Sequence, residues 1–223
     1  MNDIFGYSQD PAESVLVMPP TSMKCLELFG ESIVCQFQPS ALECAQPIDI
    51  ADWIDRLLPP FGVHVMPAGG QELCGRAAVT YPTGDFECEI LVLEYIWREI
   101  PTDPKAYFAR ATVMHEIAHA ILHVPVIRRL KDAPEREFAL TRVERAAVPA
   151  FSDPEWQAWA LAGAILMPRR TVLQLADFSP ANLAAVYQVS ERFAAVRLKR
   201  LKIDPVAPEA AVPGDSPNDS RAA

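Results

Sequence analysis

The sequence predicts an α+β fold, and three observations carry that prediction. Strand-like runs gather in one stretch, at 63–66, 76–81 and 88–95. A long apolar-striped helix follows, and a second capped helix lies about thirty residues after it. Strands segregated from helices give a small sheet with helices laid on one side, rather than an alternating α/β fold. The run Glu89-Ile90-Leu91-Val92-Leu93 leads straight into the helical half, so the sheet is expected to be mainly antiparallel.

Taken in chain order, residues 1–48 form a leader that is partly extended or disordered. Its first twenty residues show no apolar period, although Val15-Leu16-Val17-Met18 could dock, and 33–37 reads as a possible strand. A helix over 49–58 is closed by Pro59-Pro60. After the three strands, Thr102-Asp103-Pro104 reads as a helix start, an acceptor at the cap followed by proline. Phe108, Ala111, Met114, Ala118, Ile121 and Leu122 then recur at three- and four-residue steps as one apolar stripe. Val124-Pro125 stops that helix, because the residue before proline is pushed out of the helical region. The charged segment 126–147 could form a lid. Asp153-Pro154 opens the second helix and Pro168 closes it. Ser179-Pro180 and Ser190 start the helices of a short region, 169–203. The tail, 204–223, is rich in Pro, Ala, Ser and Asp and is expected to be disordered. The core is thus 49–168, and no internal repeat is present.

Composition narrows the class. With 223 residues, half of them hydrophobic, the chain suits one core domain with appendages. No apolar run approaches a membrane span, and MNDIFGYSQDPAES has no basic segment followed by an apolar core, so no secretory signal is expected. The five cysteines form no C-x-x-C pair and read as reduced, mostly buried thiols of a cytoplasmic protein. A net charge of −9 argues against bulk nucleic-acid binding. The cluster Arg197, Lys199, Arg200 and Lys202 on the last helix is either a DNA-reading face or a solvated one; the overall acidity favours the solvated face.

The chemistry lies in His115-Glu116-Ile117-Ala118-His119. Histidines four apart on a helix differ by about 40° of rotation and about 6 Å of rise, so both imidazoles can reach one metal ion. The carboxylate after the first of them can lie beside a metal-bound water as general base, the HExxH pattern of zinc metallopeptidases. A catalytic zinc normally takes three protein ligands. His123 is too far along the helix axis, about 12 Å from His115, and is expected to pack or hydrogen-bond at the helix end. The Gly and His that metzincins place after the motif are Leu122 and Pro125 here. Glu155, in the first turn of the second helix, either completes the metal site or complements the helix dipole.

HEIAHAILH followed by EWQAWALAGAILMP resembles the ImmA/IrrE family of metallo-endopeptidases. His115, Glu116 and His119 match the family's first helix, and Glu155, Ala158, Ala162, Leu166, Met167 and Pro168 match its second. Val189-Ser190, Ala194, Arg197-Leu198 and Leu201 fit its closing helix, so the likeness spans roughly 48–203. Trp159 departs from the pattern by standing where a small polar residue is common, and Leu161 replaces an aromatic.

The resemblance implies a zincin-like core: a small sheet packed on the HExxH helix, a second ligand-bearing helix, and a helix-turn-helix-like C-terminal region. It implies one Zn2+ held by His115, His119 and Glu155, with Glu116 catalytic. It also implies cleavage of a regulatory protein of the helix-turn-helix repressor class, in stress response or transcription regulation; the alternative is a non-proteolytic metal-binding regulator of the same family. An extended substrate is expected to add to the edge of the 88–95 strand. Tyr107, Tyr187 and His64 are the candidate oxyanion donors.

Overall fold

The computed structural model describes residues 14–85, 87–102, 106–132 and 142–204. The fold is α+β. Strand β1 (Ser14–Leu16) leads to helix α1 (Met23–Phe37), the short helices α2 (Ser40–Glu43) and α3 (Ile50–Asp52), and strands β2 (Val63–Ala68), β3 (Ala78–Thr83) and β4 (Glu87–Leu93). Helices α4 (Glu94–Thr102), α5 (Tyr107–Leu122) and α6 (Val124–Asp132) follow, then β5 (Arg142–Glu144) and α7 (Pro154–Leu166). Helices α8 (Arg169–Val172), α9 (Pro180–Tyr187) and α10 (Glu191–Leu201) complete the described chain.

The sheet is mixed, with the order β2-β4-β3. β4 is its centre, parallel to β2 and antiparallel to β3. Cys88, Ile90 and Val92 of β4 point into the main core, while Leu91 and Leu93 pack on a small cluster of Ala68, Leu73 and Val79 on the opposite face. This corrects the expectation that the 88–95 strand forms the receiving edge: both sides of β4 are already paired. The edge lying on α5 is β3. Leu93 N–H donates to Ala77 O, so the peptide groups of Ala78, Thr80 and Pro82 face away from β4 by the antiparallel alternation. Pro82 is tolerated there because its missing N–H costs no ladder bond.

Helix α5 is buried on every side over residues 109–120, as expected of a helix with layers on opposite faces. The sheet covers one face and α7 the other, and α1 packs on the far side of α7. The approach of α1 to α7 is close: a Cβ on Gly30 would lie 2.8 Å from the Ala164 Cβ. Arg110 fastens α5 to its surroundings, donating to Ile48 O at 2.8 Å and Gln188 O at 3.0 Å.

Several local expectations are revised. Residues 33–37 lie inside α1, where Leu26, Gly30, Ile33 and Val34 form a helical stripe and the Ser22 side chain caps the start. The 49–58 helix opens at Asp49 and widens into a π-turn over Trp53–Leu57. Asp103 and Pro104 lie outside the described residues; Thr102 ends α4, and α5 begins at Tyr107. Pro125 both ends α5 and sits in the first turn of α6, where no helical N–H is needed. Of the suggested lid, residues 133–141 lie outside the described residues, while 126–132 belong to α6 and 142–144 to β5.

Four cysteines, Cys25, Cys35, Cys44 and Cys74, are exposed and only Cys88 is buried, with all five thiols free. Cys25 and Cys35 fall on the outer face of α1, opposite its buried stripe. Arg197 is also removed from the supposed basic face. It is buried, paired with Glu27 of α1, and donates twice to Met167 O, at 3.0 and 2.9 Å. Arg200 is half-buried and donates to Trp159 O, which leaves Lys199 and Lys202 as the exposed members of the cluster.

Candidate metal centre

Two helices bring three ligand-type atoms together. His115 and His119 share the face of α5 that turns toward the start of α7, and both are buried. Asp153 caps α7 by accepting from Glu155 N–H at 2.9 Å, which places Glu155 on the helix's first turn and aims it at the histidines. His115 Nε2 and His119 Nε2 are 3.0 Å apart. The Glu155 oxygens lie 3.2 Å from His115 Nε2 and 3.1 Å from His119 Nε2.

Those separations can be tested against a metal. Bonds of about 2.0–2.1 Å at tetrahedral angles require ligand atoms about 3.3 Å apart. The nitrogen–nitrogen separation, and the approach of Glu155 Oε2 to His115 and of Oε1 to His119, are each within a few tenths of that length, so the two imidazoles and the carboxylate are close enough to share one ion. Two imidazole nitrogens and a carboxylate oxygen also make a donor set suited to a transition-type ion. The same crowding affects protonation. Burial alone would raise the Glu155 carboxyl, but His119 and His115 reverse that and hold it well below the usual carboxylate range.

Glu116 is buried beside the ligands and does not join the triad. The Thr80 hydroxyl, from edge strand β3, donates to its Oε2 at 2.6 Å. Trp159, one turn after Glu155, stacks on His115 with ring centroids 4.1 Å apart, and Phe193 meets Trp159 edge-on. The departure from the family pattern at this position thus supplies a wall for a ligand ring.

An open cleft reaches this site. Residues 75–78, Phe108, Thr112 and Trp159 line it together with His115, Glu116 and Glu155. Phe108 was expected in the core stripe, yet it is 57% exposed. Seven residues on a helix amount to about −20° of net rotation, so Phe108 shares the face of His115, whereas Ala111 and Met114 turn away. None of Tyr107, Tyr187 and His64 is among the residues lining the cleft. Tyr187 is buried and donates to the Thr171 hydroxyl, and His64 sits on β2, beyond β4 from the site. Arg76 does line the cleft.

His123 is not one of the three grouped ligand atoms. It is fully enclosed behind His119, with Nδ1 2.9 Å from His119 Nδ1 and Nε2 3.0 Å from Gln157 Oε1. Burial, then the neighbouring His119, push its pKa well below the ordinary imidazole value and keep it neutral. Sequence reading passed over Thr80 and Gln157. Only Gln157 gave a signal, as a buried polar residue in the apolar helix α7.

Residues 109–199 match the family model Peptidase_M78, the IrrE N-terminal-like domain. That part of the chain is similar to this family. No curated protein and no solved structure matches the chain significantly. The IrrE-like match contains His115, Glu116, His119 and Glu155, and with them a metallopeptidase-like character. Thr80, Arg76 and the leader lie outside it. Among the described residues, no helix is long and apolar enough to cross a membrane.

Proposed function

We propose that the protein is a zinc-dependent endopeptidase acting on a regulatory protein, with His115, His119 and Glu155 as ligands of one ion and Glu116 as general base. The carrying observation is the close grouping of two imidazole nitrogens and the Glu155 carboxylate, with a second buried carboxylate beside it. Zinc suits this set better than magnesium or calcium, which take six or more oxygens. Bound there, zinc would polarise a peptide carbonyl and acidify water.

The remaining work falls to side chains and backbone. Glu116 takes the proton of the attacking water and delivers it to the leaving amine. Thr80 fixes the orientation of that carboxylate. An extended peptide adds to β3, where the peptide groups of Ala78 and Thr80 face outward. Arg76, on the cleft wall, is the cation assigned to the developing oxyanion. The resemblance to the ImmA/IrrE family supports a helix-turn-helix repressor as the substrate class.

Metal analysis of the purified chain should find about one zinc. Glu116→Gln should keep that zinc and abolish cleavage of a helix-turn-helix repressor substrate. Cleavage that survives the substitution would overturn the assignment of the base. A Glu116→Gln protein that still switches the repressor's target genes would favour a regulator that works without proteolysis.

A further inference from the structure

Behind His119 runs a line of hydrogen bonds whose proton positions follow from geometry. Gln157 Nε2 lies 2.9 Å from Pro19 O and 2.7 Å from Phe151 O. Both are pure acceptors, so the amide NH2 must face them and the amide oxygen must face His123. The reverse orientation would set an oxygen against two carbonyls and forfeit both hydrogen bonds. An amide oxygen accepts only. His123 therefore carries hydrogen on Nε2, 3.0 Å from Gln157 Oε1, and offers the lone pair of Nδ1. His119 Nδ1, 2.9 Å away, supplies the hydrogen of that contact. With hydrogen on Nδ1, the Nε2 of His119 turns its lone pair toward Glu155 and His115.

The far end of this line is the leader. Met18 N donates to Ser152 O at 3.0 Å and Thr21 N to Phe151 O at 2.8 Å, and Val15, Leu16 and Met18 are buried. Pro19 O is therefore held in place from both sides.

We propose that Gln157 and His123 are positioning residues which, anchored on the docked leader, hold His119 in the one tautomer able to take a metal through Nε2. The inference rests on the metal-site reading above and adds to it the part of the chain that sets the ligand's proton. Orienting partners of this kind typically contribute 10–100-fold in metal affinity.

The test is zinc affinity of the full chain, measured by competition with a chromogenic chelator. His123→Phe keeps the ring volume and removes the acceptor; Gln157→Leu removes the amide. Each should weaken zinc binding about 10–100-fold. The double variant should be no weaker than His123→Phe alone, because Gln157 acts through His123. Imidazole nitrogen NMR of the metal-free wild type needs no variant and should place hydrogen on His119 Nδ1 and on His123 Nε2. Hydrogen on His119 Nε2, additive losses in the double variant, or single variants that bind zinc as tightly as wild type would each overturn the proposal. A wild-type chain that takes up no zinc would instead overturn the metal reading beneath it, and this inference with it.

Discussion

Replacing Thr80 by valine should disable Glu116 without touching the metal. Valine copies the shape of threonine and removes one hydroxyl, so the strand and its packing on α5 persist. What is lost is a buried, 2.6 Å hydrogen bond to a carboxylate. Bonds to charged groups contribute about 1.5–3 kcal/mol. Each 1.36 kcal/mol on a barrier is about tenfold in rate, so kcat/KM should fall roughly ten- to a hundredfold. The assay is steady-state cleavage of a peptide substrate beside zinc analysis of the same sample. Zinc content should stay at the wild-type level, since Thr80 bonds to Glu116 and is not one of the three grouped ligand residues. Thr80→Ser should recover most of the rate. In a Glu116→Gln background, Thr80→Val should cost little more, because the two residues act as a unit. A fully zinc-loaded Thr80→Val enzyme with wild-type kcat/KM would refute the reasoning.

Arg197→Met should destabilise the fold by about 3–5 kcal/mol in urea unfolding, because it strands buried Glu27 and two bonds to Met167 O. Adding Glu27→Leu should recover much of that loss, and a single variant as stable as wild type would remove the pair from the account. Gly30→Ala gains about 1 kcal/mol of helix propensity but drives a Cβ to 2.8 Å from Ala164, an overpacking cost of about 1–3 kcal/mol. The net should be destabilising, and a more stable variant would contradict the close approach of α1 to α7. A thiol reagent at pH 8 should titrate the four exposed cysteines quickly and the fifth only in denaturant, since burial pushes the Cys88 thiol up to about 12. Five fast thiols in the native protein would place Cys88 at the surface.

Features written in short-range code were legible in the sequence. Asp153, Ser179 and Ser190 cap the helices they were expected to cap, each accepting from a backbone N–H two or three residues on. The α+β class followed from the clustering of strands. Failures occurred where the deciding partner is far away. A five-residue apolar run at 33–37 does not separate strand from helix by itself; Leu26 and Gly30 decide it. Strand order is non-local, so nothing in 88–95 announced that β4 would be paired on both sides. Arg197 looked like its basic neighbours because Glu27 lies 170 positions away. Phe108 is a different error. Its three-residue step to Ala111 was counted as core, while its seven-residue step to His115 placed it on the cleft.

The candidate site shows the same division within a few ångströms. The identity of the ligand atoms is local: two histidines one turn apart on α5 and a glutamate beside a helix cap. Their chemical state is not. The hydrogen on His119 is set by a line that ends on Pro19, and the orientation of Glu116 by a hydroxyl on β3. Neither Pro19 nor Thr80 falls within the 109–199 family match. A fragment restricted to the matched residues would thus keep all four motif side chains and lose what fixes the proton of one and the direction of another. On this argument the leader and the sheet are parts of the site, and the helix pair alone would not reproduce its metal affinity.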